Sequence, residues 1–122
     1  MSTGPPIRGR HVPKPWGHEL IWAHTDRYVG KILHVNRGES LSLQYHQQKD
    51  ETIRILTGAI DFEYGHDDEP RATVRLTAGD GWHIPPGLRH RMTAVEDTDI
   101  LEVSTTELDD VVRLEDRYGR IR

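Results

Sequence analysis

The sequence predicts an all-β domain, an antiparallel β-sandwich or jelly-roll barrel. Three observations predict it. Short apolar-alternating runs recur at intervals of about 8–12 residues. Gly, Pro, Asn and Asp fill the gaps between them. No gap is long enough for the crossover helix that neighbouring parallel strands need.

The first run is Tyr28–Val35, closed by Asn36, Arg37 and Gly38. Ser40–His46 follows, then a polar corner at residues 47–50. Glu51–Leu56 and Ala59–Tyr64 are separated by the turn residues Thr57 and Gly58. Residues 65–70 form a polar turn before Thr73–Leu76. Ala78, Gly79 and Asp80 lead into Gly81–Ile84, and Pro85, Pro86 and Gly87 into Arg89–Ala94. Glycine supplies positive φ at such turns and proline a fixed φ. The last run is Ile100–Ser104. Asp109–Arg122 is expected as a short helix or an irregular closing segment. Residues 1–13, rich in Gly, Pro and Arg, read as a flexible N-terminal arm, and residues 14–122 as the domain.

Composition narrows the function classes. The 122 residues contain no cysteine, which excludes disulfides, a thiolate nucleophile and cysteine-ligated metal sites. Any metal must be held by nitrogen and oxygen. Net charge is −4, the wrong sign for a dedicated nucleic-acid binder. No apolar run approaches the roughly 20 residues of a membrane-spanning helix, and the first residues lack a signal-peptide core, so a cytoplasmic protein is expected. Only 34% of residues are hydrophobic. That is low for one compact domain, and it implies either a marginal core or an interior that is polar for a reason.

The run Ser40–His46 supplies a reason. Side chains two apart on a strand share a face. Ser40, Ser42, Gln44 and His46 then line one side, and Leu41, Leu43 and Tyr45 the other. A Ser-Ser-Gln-His face suits a lined cavity better than a core. Glu51 follows five residues after His46, and His90 comes just after the Pro-Pro-Gly turn. Gln44, His46, Glu51 and His90 form a nitrogen–oxygen ligand set for one divalent ion: zinc first, then manganese, iron, cobalt or nickel. The bland alternative is a polar strand with unrelated histidines. His11, His18, His24, His34 and His66 lack comparable partners and read as surface residues.

The pattern Gly38-x5-Gln44-x-His46-x4-Glu51-x6-Gly58 resembles the first cupin motif, and Gly79-x5-Pro85-x-Gly87-x2-His90 the second. Gln44 stands where most cupins have histidine, as in cupins of the phosphomannose isomerase type, and Ala94 replaces a terminal asparagine. Lys14-Pro15-Trp16-Gly17, Leu41–His46 and Glu115-Asp116-Arg117-Tyr118-Gly119-Arg120 resemble landmarks of the type II mannose-6-phosphate isomerase cupin, over about residues 12–122. Gln47, Gln48 and Lys49 depart from its usual histidines and arginine, and Ile53 from its usual aromatic residue.

The resemblance implies a metal-dependent aldose–ketose isomerase of a sugar or sugar phosphate, acting as a homodimer. Such chemistry needs a Lewis acid and a base that moves a proton between C1 and C2. The candidate bases are Glu102, Lys31 and Lys49, with Lys49 expected at the cavity rim. Arg117 and Arg120 are the candidate phosphate ligands, because a guanidinium fork matches phosphate. Tyr45 is expected at the pocket mouth. The rival functions are another metal-dependent tailoring enzyme or oxygenase on the same barrel, and a non-catalytic ligand-binding or sensor cupin.

Overall fold

The computed structural model describes residues 4–121. All eight predicted runs form strands, and three further strands join them. In order these are β1 (Arg10–Lys14), β2 (Gly17–His24), β3 (Val29–Val35), β4 (Leu43–Tyr45), β5 (Glu51–Thr57), β6 (Ala59–Gly65), β7 (Ala72–Thr77), β8 (Gly81–Ile84), β9 (Arg89–Ala94), β10 (Thr98–Ser104) and β11 (Val112–Glu115). There is no helix among the described residues, and so none long and apolar enough to cross a membrane.

The strands form two antiparallel sheets. One runs β1-β2-β3-β10-β5-β8, the other β11-β4-β9-β6-β7. The expected sandwich is therefore present, with corrections at its ends. Residues 10–13, expected in a flexible arm, belong to β1 and pair with β2 from Arg10↔Ile21 to Lys14↔Gly17. Residues 1–3 of that arm lie outside the described residues. Val112–Glu115, expected as helix or irregular chain, is β11, which pairs with β4.

Between the sheets, the inner faces change character along each strand. On β3 the inward residues run Lys31, Leu33, Val35; on β5, Glu51, Ile53, Ile55; on β9, His90, Met92, Ala94. All nine are buried. One end of the sandwich is thus an apolar core, where Ile55, Ile60, Phe62, Val35 and Ile100 have no exposed surface. Each such side chain contributes about 1.5–3 kcal/mol by leaving water. The other end is charged. The low hydrophobic content reflects this division of one interior into a core and a polar cavity.

Gly58 shows how the chain turns from β5 in one sheet to β6 in the other. Its φ is +92°, and a Cβ there would lie 2.4 Å from both the Asp97 carbonyl oxygen and Thr98 Oγ1. Only glycine has both the conformation and the missing atom.

Candidate metal centre

His46, Glu51 and His90 come from three separate elements. His46 follows β4, Glu51 begins β5, and His90 is the second residue of β9. The Pro-Pro-Gly turn sets the approach of β9: Gly87 N–H donates to the His46 carbonyl at 2.8 Å, and Leu88 N–H to the Pro85 carbonyl at 3.2 Å.

Each imidazole is oriented through its far nitrogen. His46 Nδ1 donates to the Asp110 carbonyl at 2.5 Å, and His90 Nδ1 to the Leu88 carbonyl at 2.9 Å. A carbonyl can only accept, so the proton sits on Nδ1 and, in the neutral ring, the Nε2 lone pair points inward. Both Nε2 atoms are buried without a hydrogen-bond partner. They lie 3.7 and 3.6 Å from Glu51 Oε1. These separations are too long for hydrogen bonds. They are close to the roughly 3.4 Å expected between ligand atoms each about 2.1 Å from one tetrahedral ion. The three ligand atoms all lie within 4.8 Å of one another. Two orphaned imidazole nitrogens facing a carboxylate oxygen fit a divalent metal, and this His-His-Glu group can bind one.

Burial lowers the His90 pKa, which keeps the ring neutral and able to ligate. Burial works to raise the Glu51 carboxyl, but the His46 ring, Lys49 and His90 outweigh it and hold the group well below the usual carboxylate range.

Gln44 sits on β4 directly across from His90, and its Oε1 accepts a hydrogen bond from Ser42 Oγ at 2.6 Å. Gln44, His46, Glu51, Lys31, Lys49, Glu102 and Arg120 all line one cavity of about 280 Å³. Seven of the ten predicted site residues therefore share a single space, and His90 is buried beside it.

Lys49 differs from expectation. It is not at the rim but buried, with Nζ 2.9 Å from Glu51 Oε2 and 3.2 Å from Glu102 Oε2. Burial opposes its charge, yet Glu102 and Glu51 together raise its pKa above the ordinary lysine range. Burial, then the charge of Glu51, pushes Glu102 up against the opposing Lys49 and Lys31. Lys31 is paired instead with Glu19, 3.4 Å away.

Two predicted residues are not brought to the cavity. Arg117 is exposed and donates from Nη1 to the Gly38 carbonyl at 2.6 Å. It lies three residues before Arg120 in a turn, and the two side chains leave on different sides. Tyr45 alternates with Gln44 and so faces away; the Arg89 guanidinium sits 5.5 Å from its ring centroid. Ser40 also leaves the expected face. Regular strand begins only at Leu43, and the Ser40 hydroxyl bonds the Met92 carbonyl and Thr93 Oγ1 while Leu41 lines the cavity.

Sequence reasoning missed Arg10, Lys14, Glu19 and Arg113, which also line the cavity. The signal was present in the alternation of Arg10, Val12 and Lys14. It was masked because an inner face that borders a polar cavity does not alternate polar with apolar.

Comparison with known proteins agrees with this geometry. Residues 31–105 match the cupin domain family. The chain is 33% identical over 122 residues to mannose-1-phosphate guanylyltransferase ManC of Salmonella typhimurium, covering 92% of this chain and 23% of that protein. It is 30% identical over 116 residues to the xanthan biosynthesis protein XanB of Xanthomonas campestris, covering 91% of this chain and 24% of that one. The chain thus spans about a quarter of the length of these curated relatives. Among solved structures, KdgF from Halomonas sp. superimposes with a TM-score of 0.69 at 24% identity, over 79% of this chain and 85% of that one. A family match over more than half the chain, on a two-sheet antiparallel sandwich, identifies this protein as a member of the cupin family.

Proposed function

We propose that this cupin is a metal-dependent aldose–ketose isomerase acting on a sugar or sugar phosphate of the mannose 6-phosphate type. The observation that carries the reading is the convergence of His46 Nε2, His90 Nε2 and Glu51 Oε1 beside a cavity that also holds the Lys49–Glu102 pair. The names of the relatives, mannose-1-phosphate guanylyltransferase and xanthan biosynthesis protein, support a sugar substrate.

In this reading His46, Glu51 and His90 hold one divalent ion, with Gln44 Oε1 as fourth ligand and zinc as the first choice of metal. When bound, the ion supplies Lewis-acid polarisation of substrate oxygens. Glu102 takes the proton from one carbon and returns it to its neighbour. Its carboxyl suits that work because burial and Glu51 raise its pKa toward the working pH. Lys49 stays protonated between the two carboxylates and fixes the direction in which Glu102 faces. The reading also takes the protein as a cytoplasmic homodimer, which light scattering tests for the oligomer.

The experiment is solvent deuterium exchange into mannose 6-phosphate, fructose 6-phosphate, mannose and fructose by metal-loaded protein. Exchange at C1 or C2 of one of these pairs is expected. Absence of exchange in all four sinks the isomerase reading. Metal analysis of His46→Ala and His90→Ala, with circular dichroism to verify the fold, tests the ligand set separately. Retained metal in both variants would show the ligand assignment to be wrong.

A further inference from the structure

The outer faces of the two sheets differ in kind. On the five-stranded sheet the outward side chains are charged and paired. Arg75 meets Asp61 at 2.7 Å, and Arg91 meets Glu63 at 2.6 Å. That face suits water. On the six-stranded sheet the outward residues of β2, β3 and β10 alternate with the buried ones and form three rows across β3. Leu20, Ile32 and Leu101 are direct cross-strand neighbours in the middle row. Gly30 and Val103 pair in the next, and Trp22 lies over Gly30, where a Cβ would come 2.8 Å from the indole ring. The third row is His18, His34 and Asp99.

This face exposes apolar surface and carries little charge. Trp22, Leu56 and Val103 are 43%, 40% and 48% exposed, and among the described residues they are the large exposed apolar side chains that stand on strands. The outward carboxylates and guanidinium or ammonium groups of β2, β3, β10 and β5 are Asp99 and Arg54 alone. Asp99 is engaged by His34 Nδ1 at 2.7 Å and by Thr57 Oγ1 at 3.3 Å. Single exposed apolar residues need no explanation, but contiguous rows rimmed by polar groups mark an interaction surface. Six strands about 4.8 Å apart and about seven residues long span a footprint of about 600–700 Å². That is close to the roughly 800 Å² that each partner gives to a standard interface.

The same rows point to what covers the face. About β3, each residue of β2 has a complement at the same height on β10: Leu20 has Leu101, Trp22 has Val103, and the His18 imidazole has the Asp99 carboxylate. A two-fold axis along β3 lays each of these on its counterpart, apolar on apolar and donor on acceptor. A second copy supplies that match by symmetry. We infer that two copies of this chain pack face to face through the outer sides of their six-stranded sheets, with Trp22 as the anchor. The inference rests on the homodimer included in the proposed function, and it adds which surface makes that dimer. The candidate metal ligands lie between the sheets and take no part in the contact.

The test is sedimentation equilibrium of the unaltered protein and of Trp22→Lys/Val103→Lys, which sets like charges opposite each other across the axis. Thr73→Lys, on the charged outer face of the other sheet, is the control. Circular dichroism and melting curves verify each fold. Should the double variant not fold, Val103→Lys alone carries the test, since that side chain is half exposed. Unaltered protein and control should be dimers at micromolar concentration, and the face variant should raise the dimer dissociation constant at least about thirtyfold. Unaltered protein that stays monomeric up to about 100 µM overturns the inference together with the homodimer. A face variant that dimerises as tightly as unaltered protein, or a control that dissociates equally, overturns the face while the homodimer stands. Deuterium exchange is measured separately, so the isomerase reading can fail without moving either result.

Discussion

The imidazole of His46 donates from Nδ1 to the backbone carbonyl of Asp110, 2.5 Å away. The carboxylate of the same Asp110 accepts the backbone N–H groups of Gln47, Gln48 and Lys49 at 2.7–3.0 Å. One residue from the segment before β11 thus orients a candidate metal ligand and fastens the corner that carries Lys49. Asp110→Ala keeps the carbonyl but releases the corner. Metal affinity should fall about 10–100-fold, the usual effect of losing support behind a ligand. Stability should fall by about 1–3 kcal/mol as three donors lose their acceptor. Competition with a chelator and urea melts measure the two. Unchanged metal affinity would show that the corner does not position His46.

Lys49 neutralises two buried carboxylates. Lys49→Met leaves Glu51 and Glu102 facing each other without a cation, and should cost about 3–5 kcal/mol. The double change Lys49→Met with Glu102→Gln removes one of the two charges and should recover part of that loss. A cycle of the four proteins by chemical denaturation gives the coupling. Additive losses would mean that the pair does not interact.

Glu102 is a positioned base in the proposed chemistry, and it is not among the three converging ligands. Glu102→Gln should retain metal stoichiometrically while deuterium exchange falls about 10²–10⁴-fold. Exchange at an undiminished rate would move the base elsewhere in the cavity, with Lys31 the next candidate.

Asp116 gives the acid side of stability. The Arg120 guanidinium, against the opposing effect of burial, holds its carboxyl below the usual aspartate range. A depressed carboxyl contributes stability that is complete above its unfolded pKa, about 3.9, and is lost as pH falls through the folded value. Asp116→Asn should therefore be less stable than the unaltered protein at neutral pH and should converge with it as pH falls through the folded carboxyl's depressed pKa. Thermal melts across that range check this. A constant difference at every pH would assign the effect to something other than the carboxylate charge.

Much of the fold was legible because period-2 alternation and glycine or proline punctuation are local signals. β8 and β9 have the bounds that the sequence indicates, and β3, β5, β6, β7 and β10 differ by one or two residues at an end. β1 and β2 were not legible. On β2 the inward residues are Glu19 and Ile21, and the outward ones include Leu20 and Trp22, so neither face is uniformly apolar. β11 is held by pairing with β4 rather than by its own pattern.

The site divides in the same way. Its candidate ligands were readable because His46, Glu51 and His90 stand at fixed distances from turn glycines and a Pro-Pro-Gly corner, and turns are local. Its charges were not. Whether Lys49 sits at a rim or between two carboxylates depends on β10 lying beside β5, a contact across some 50 positions of chain. Arg117 and Arg120 are equivalent in a linear motif, but one reaches the Gly38 carbonyl and the other borders the cavity. Sequence by itself determined eight of the strands, the turns between them and the three residues that can hold a metal. Only the tertiary structure decided which cations and carboxylates meet, because burial and pairing across sheets set the energy of a charge and neither is written in its neighbours along the chain.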